Sequence, residues 1–285
     1  MTTINLLNNT IEIKRNGGIL DDSLKKRTFD YFSFPDGQPH ISFPEPIDRK
    51  EGVRIVCRIR NEEELFKLRL VADVANRCSH VEEIEILYLM AARTDRILSF
   101  EEPFTLKMVA EDINKIEARV LIHEPHSYES LRLINRGVAK RALVETILYG
   151  NKYIEDNTTI VYPDKGAYLR YSWMYEVFNS LVCRKTRNPE DGSLSGFSII
   201  NPESYKGGPM IVLDDLCDGG GTFLGIEEKL RKLNPPSITL AVTHAVQKKG
   251  IERVAEVYDK VIITNSYEDW EDLPRNVEMI DLIHK

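Results

Sequence analysis

The 285-residue sequence has only four cysteines, Cys57, Cys78, Cys183 and Cys217, and no two of them form a CxxC pair. That scarcity and spread fit reduced structural thiols better than a disulfide frame or a zinc site. No apolar run approaches the roughly 18 residues that a membrane span needs. The Met1-Thr2-Thr3-Ile4 start lacks the basic and apolar regions of a signal peptide, so a cytoplasmic location without a membrane partner is expected. Positive charge is also in deficit: 38 Lys+Arg face 45 Asp+Glu, a net charge of −7. A chain of that balance carries no bulk cationic field to draw it onto a phosphate backbone, which disfavours nucleic acid as a partner. What is present is ordinary, with 42% hydrophobic and 29% charged residues and length enough for two packed domains.

Segments rich in β-branched residues alternate with segments of helical period. Val53–Ile59 reads as a buried strand, and Asn61 followed by Glu62, Glu63 and Glu64 caps a helix with Leu65, Leu68, Val71 and Val74 on one face. Ile84–Met90 and Arg119–Ile122 are further strands, with a helix over Pro103–Ile116 between them. This rhythm predicts a parallel sheet with crossover helices. A polar stretch at Tyr149-Gly150-Asn151 suggests a boundary, giving domains 1–148 and 149–285. Beyond it, Thr158–Tyr162, Ser180–Cys183, Met210–Leu213, Ser237–Val242 and Lys260–Thr264 read as strands. Phe32–Pro46, rich in Phe and Pro, and Arg184–Gly196, rich in Gly, Ser and charge, read as loops, the second a mobile one.

The sharpest pattern is Ile211-Val212-Leu213-Asp214-Asp215-Leu216-Cys217-Asp218-Gly219-Gly220-Gly221-Thr222-Phe223, followed by a helix-forming run from Leu224 to Lys232. A glycine loop at a helix N-terminus offers free backbone N–H groups and the positive dipole end to a phosphate, with no side chain in the way. Thr222 adds a hydroxyl donor. Asp214 and Asp215, at a strand's C-terminal end, suit the vicinal hydroxyls of a ribose, directly or through a divalent cation.

The pattern resembles the 5-phosphoribosyl 1-diphosphate motif of type I phosphoribosyltransferases and of ribose-phosphate pyrophosphokinases. Phosphoribosyltransferases of this type are usually single-domain chains, whereas the pyrophosphokinases duplicate the α/β unit, and this chain has the duplicated length. Further segments follow the pyrophosphokinase order. Phe34-Pro35-Asp36-Gly37-Gln38 is similar to the family's F-x-D-G-E loop, with Gln38 in place of the glutamate. Tyr88-Leu89-Met90-Ala91-Ala92-Arg93-Thr94-Asp95-Arg96 resembles Y-x-x-x-A-R-Q-D-R/K, with Thr94 in place of the glutamine. Leu121-Ile122-His123 stands where the family has D-L-H, and Tyr162-Pro163-Asp164-Lys165-Gly166-Ala167 where it has S-P-D-A-G-G. Lys185 and Arg187 match the K-x-R that opens the family's catalytic loop. Ala241–Ala245 and Ile262–Ser266 are similar to its A-T-H-G and V-T-N-T strand ends.

The resemblance implies an α/β chain of two type I phosphoribosyltransferase-like domains, each a parallel sheet with flanking helices. It implies ATP contacts at Phe34, Asp36, Gln38, Arg93, Thr94 and Asp95, and metal-linked groups at His123 and Asp164. Ribose-phosphate contacts are implied at Asp214, Asp215, Asp218, Gly219, Gly220, Gly221 and Thr222, and catalytic cations at Lys185 and Arg187. The implied activity is Mg²⁺-dependent transfer of a diphosphate from ATP to the anomeric hydroxyl of ribose 5-phosphate. A homo-oligomer is implied as well, because the Phe34–Gln38 loop reaches a neighbouring subunit's nucleotide site in the family. Gly219, where most pyrophosphokinases carry threonine, removes a donor and opens volume, which leaves a larger 5′-substituted ribose such as ADP-ribose open as the acceptor. A phosphoribosyltransferase and a catalytically silent regulatory subunit remain alternatives, the latter because of Gln38, Thr94 and Leu121. His40, His80 and His284 are read as surface or core residues, and His126 is ambiguous.

Overall fold

Two long apolar strands, Val53–Ile59 and Met210–Cys217, lie inside two separate parallel sheets, as near-continuous hydrophobic runs do. The computed structural model describes residues 1–13, 25–47, 52–149, 152–174, 177–187 and 194–283. His284, Gly150, Asn151 and residues 188–193 of the expected mobile loop therefore lie outside the described residues. The chain forms two units, Met1–Lys140 and Arg141–Lys285.

In the first unit the elements are β1 (Thr2–Asn5), β2 (Thr10–Ile13), β3 (Lys25–Thr28), β4 (Asp30–Ser33), β5 (Pro39–Ser42), β6 (Val53–Ile59), α1 (Glu62–Cys78), β7 (Val81–Leu89), α2 (Thr105–Asn114), β8 (Arg119–His123), α3 (Tyr128–Leu133) and β9 (Gly137–Lys140). Among the described residues they build a seven-stranded sheet of order β3-β2-β1-β6-β7-β8-β9. β1, β6, β7, β8 and β9 are parallel, and β2 and β3 extend the edge antiparallel. Helix α1 starts as its sequence dictates: the Asn61 side chain accepts from the Glu64 N–H at 3.0 Å, and three glutamates face the positive dipole end. Leu65, Leu68 and Val71 are buried as expected, and Ala72 and Ala75 fill the rest of that face while Val74 sits at its margin.

The second unit follows with α4 (Ala142–Tyr149), β10 (Thr159–Tyr162), α5 (Lys165–Tyr171), β11 (Asn179–Arg187), β12 (Leu194–Ile199), β13 (Met210–Cys217), α6 (Gly221–Arg231), β14 (Ile238–Ala245), α7 (Lys248–Ala255), β15 (Lys260–Thr264) and β16 (Val277–Ile280). Its sheet runs β12-β11-β10-β13-β14-β15-β16, parallel except for the β11–β12 pair. Val212, Leu240, Val242 and Val261 pack with Ile226, Leu230, Ile251 and Val254 of α6 and α7, while α4 and α5 pack on β14 and on β10 and β13. From β10 the chain crosses to β11 on one side and later returns to β13 on the other. The crevice at such a reversal of strand order, outside the C-terminal strand ends, is where open α/β sheets place ligands.

Some expectations change. Phe32–Pro46 is not a plain loop: β4 and β5 pair as a hairpin with Phe32 opposite His40. Asp36-Gly37 makes its turn, with Gly37 at φ +87 and its N–H bonded to the Phe34 carbonyl. The basic segment after Cys183 is likewise a strand, because β11 continues through Arg187 and pairs with β12. Helix α4, placed in the first domain by its sequence, belongs to the second unit, where Leu143, Val144 and Ile147 are buried. Among the described residues no helix is long and apolar enough to cross a membrane.

Candidate functional site

Strand β13 is wholly apolar up to Leu213 and then turns acidic, so its hydrophobic run carries Asp214 and Asp215 to the strand-order reversal while both remain buried. One guanidinium nitrogen answers both. Arg170 Nη1, on α5, lies 3.0 Å from Asp214 Oδ1 and 2.7 Å from Asp215 Oδ1. Burial and the neighbouring Asp215 push the Asp214 carboxyl well above the usual range, and Arg170 offsets only part of this.

The start of α5 is organised by Asp164 at the end of β10. Its side chain accepts from the Ala167 N–H at 3.0 Å as the helix N-cap and from Lys185 Nζ at 2.8 Å. Burial works to raise this carboxyl, but the Lys185 ammonium and the Ala167 N–H outweigh it and hold the group below its ordinary range. Lys185, reached along β11, thus stands in the same crevice as the acidic pair. Arg187 ends β11, and its side chain is outside the described part.

The glycine turn runs from Asp218 into α6. Gly220 has φ +79, and a Cβ there would also come within 2.9 Å of Val254 Cγ1, so both backbone and space require glycine. At Gly219 and Gly221 a Cβ would meet nothing within 4 Å. Helix α7 backs the turn: Gly250 packs so tightly that a Cβ would lie 1.8 Å from the Asp218 carbonyl oxygen. Gln247 donates to Asp218 Oδ1 at 2.5 Å, and Arg253 donates to the Gly219 carbonyl at 2.7 Å. The N–H groups of the first turn of α6, which have no acceptor within the helix, border the opening together with Thr222. At the neighbouring strand ends the polar side chains hold one another, His244 Nδ1 to Ser266 Oγ at 2.9 Å and Ser266 Oγ to the Thr243 carbonyl at 2.8 Å.

In the first unit the hairpin tip is exposed and stiffened by its rings, with Phe32, Phe34 and His40 packed at 5.4–5.5 Å. Gln38 is tied back to Asp36 through its backbone N–H at 3.1 Å. Arg93, Thr94 and Asp95 follow β7 in a turn in which the Thr94 N–H bonds the Ala91 carbonyl at 2.9 Å. Ser33, Gly37 and Pro39 of the hairpin and Met90 at the end of β7 border one groove of about 720 Å³. His123, expected as a metal-linked group, lies inside the sheet of the first unit. The ring is buried, with Nε2 2.7 Å from Glu85 Oε1, and Lys140 Nζ lies 2.7 Å from the same oxygen while Arg54 holds the other. Burial lowers the His123 pKa, so the imidazole serves as a neutral partner inside the sheet.

The cysteines are free, and burial pushes the Cys183 and Cys217 thiols up to about 12, which keeps them protonated and inert. Arg170, Gln247 and Arg253 were absent from the sequence expectations. Each is set by a long-range contact, and no local motif marks it.

Two mostly parallel sheets with flanking helices, one of them carrying an acidic pair and a glycine turn at its strand-order reversal, define a chain of two type I phosphoribosyltransferase-like units. No family model matches the chain. Over 280 residues it is 25% identical to a ribose-phosphate pyrophosphokinase of Pyrococcus furiosus, covering 95% of this chain and 93% of that one. It is 26% identical to the ribose-phosphate pyrophosphokinase of Thermococcus kodakarensis, covering 94% and 92%. The crystal structure of phosphoribosylpyrophosphate synthetase from Mycobacterium smegmatis superposes with a TM-score of 0.73 at 21% identity, covering 89% of this chain and 86% of that one. Over most of its length the chain is thus similar to enzymes named ribose-phosphate pyrophosphokinase, with about a quarter of its positions identical.

Proposed function

We propose that the protein transfers the β,γ-diphosphate of ATP to the anomeric hydroxyl of ribose 5-phosphate, releasing AMP and 5-phosphoribosyl 1-diphosphate. The observation that carries this reading is the crevice of the second unit, where the acidic pair, the glycine turn and Lys185 meet at the reversal of strand order. The turn and the first N–H groups of α6 receive the 5-phosphate, and Asp214 and Asp215 accept from the ribose hydroxyls. Oxygen O1 then attacks the β-phosphorus in line, the bond from that phosphorus to the oxygen bridging it to the α-phosphorus breaks, and the O1 proton passes to solvent. Such a transfer depends on position and on cancelling charge over phosphoryl oxygens, which is the work of Lys185 and Arg187. Phe34, Asp36, Gln38, Arg93, Thr94 and Asp95 of the first unit hold ATP, the hairpin acting on a second copy in a homo-oligomer.

Mg²⁺ prefers hard oxygen donors and keeps waters and substrate phosphates among its ligands. Asp164 and the acidic pair fit that donor set, while the buried imidazole of His123 does not. Among the described residues no group of three or more His, Cys, Asp or Glu could hold a metal ion, so a protein carboxylate would share the ion with the nucleotide. When bound, the ion supplies neutralisation of triphosphate charge.

A second reading of the acceptor rests on the open side of the glycine turn. Nothing occupies the space a side chain at Gly219 would take. An ADP-ribose whose second phosphate continues past Gly219 would find that space open, with unchanged chemistry at its free anomeric hydroxyl. Incubation with ATP, Mg²⁺ and either acceptor, with products weighed by mass spectrometry, tests both. AMP together with 5-phosphoribosyl 1-diphosphate is expected. Product from ADP-ribose alone selects the second reading, and no AMP with either acceptor refutes the pyrophosphokinase in favour of a phosphoribosyltransferase or a silent subunit.

A further inference from the structure

We infer that Arg170 is the positioning residue that makes this site demand a ribose with both its hydroxyls. The inference rests on the proposed use of Asp214 and Asp215 as acceptors for those hydroxyls. Two adjacent carboxylates buried at one strand end repel each other, and left alone they would turn apart or share a proton. Acceptors that turn apart no longer match the spacing of a sugar's neighbouring hydroxyls.

Through Arg170 the geometry keeps them from turning apart. One nitrogen of Arg170 reaches one oxygen of each carboxylate, at 3.0 and 2.7 Å, and its side chain is only 9% exposed. The backbone N–H of Asp215 bonds the same Asp214 oxygen at 2.9 Å, so that carboxylate is fixed from two sides. Arg170 is itself held in place. Its carbonyl accepts from Arg141 at 3.0 Å, and its helix begins at the Asp164 cap that also binds Lys185. The guanidinium therefore ties the diol acceptors to the helix that carries the Lys185 partner, and a sugar lacking the 2-hydroxyl leaves one buried acceptor unpaired. Sites that hydrogen-bond a hydroxyl in this way reject its deoxy analogue strongly.

The test compares ribose 5-phosphate with 2-deoxyribose 5-phosphate in the wild-type enzyme and in Arg170→Gln and Arg170→Lys, by steady-state kinetics and by titration calorimetry. Wild type should prefer the ribose by about 10⁴-fold in kcat/KM, and Arg170→Gln should reduce this to about 10²-fold by raising KM for the sugar, with KM for ATP unchanged. Arg170→Lys keeps the charge without the planar fork and should fall between them, and it carries the test alone if the glutamine variant does not fold. Equal loss toward both sugars with the preference intact overturns the inference and leaves Arg170 a fold-holding ion pair. Wild-type protein that binds neither sugar overturns the ribose reading of the crevice and the inference with it.

Discussion

Both units bury carboxylates in a seven-stranded sheet, yet they treat them in opposite ways. In the first, Glu85 on β7 receives His123, Lys140 and Arg54, so its charge is answered in full within the sheet and its pKa is held at about 2 despite burial. In the second, Asp214 and Asp215 both reach the same Arg170 nitrogen, and Asp214 is driven upward instead by burial and by Asp215. A fully compensated cluster mid-strand maintains the fold. A pair pushed upward at strand ends is the arrangement that the proposed acceptor site would use.

The strongest way to break this contrast is to empty the first cluster. Glu85→Ala takes the shared partner from the buried His123 and from the partly exposed Lys140 and Arg54, and should cost about 3 kcal/mol in urea unfolding, with KM for the ribosyl acceptor unchanged. A change in acceptor KM would show that the cluster is no mere fold element. The same group sets an acid limit. Because its folded pKa is depressed, its stabilisation is complete above about 4.5 and is lost as pH falls toward about 2, and Glu85→Gln should flatten acid unfolding across that window.

Lys185→Ala probes the other side. It should lower kcat by about 10²–10³, roughly 3–4 kcal/mol, while the unfolding midpoint stays near wild type. Near-normal turnover in the folded variant removes Lys185 from the reaction. Smaller and opposite in sign, Asp214→Asn relieves the repulsion and should stabilise the fold by about 1 kcal/mol in urea while abolishing use of the acceptor. If it destabilises, repulsion does not dominate the pair. The smallest effect is expected at Asn61→Ala, a loss of about 1 kcal/mol from the lost cap with kinetics untouched.

The parts of this contrast differ in how far the amino-acid sequence reveals them. The acidic pair, the glycine turn and the helix after it form one continuous pattern whose physics is local, and β6, β7, β8, β10, β11, β13, β14 and β15 are marked by their own apolar runs, whereas the outermost parallel strands β1, β9 and β16 are not. The β4–β5 hairpin was hidden because Phe and Pro outweighed the Asp36-Gly37 turn signal, and the first three strands are short and largely polar. His123 has the right order for a metal group, yet its partner Glu85 lies 38 residues away, and the contact between Arg170 and Asp214 spans 44. Such pairings are created by sheet register, which no short motif encodes.

The glycines of the turn before α6 and of the helix α7 behind it are of two kinds. Gly220 and Gly250 are locked between backbones, whereas Gly219 and Gly221 face empty space. Retargeting the enzyme by directed evolution should therefore vary the second pair and spare the first, since the former can gain functional groups without disturbing the scaffold behind them.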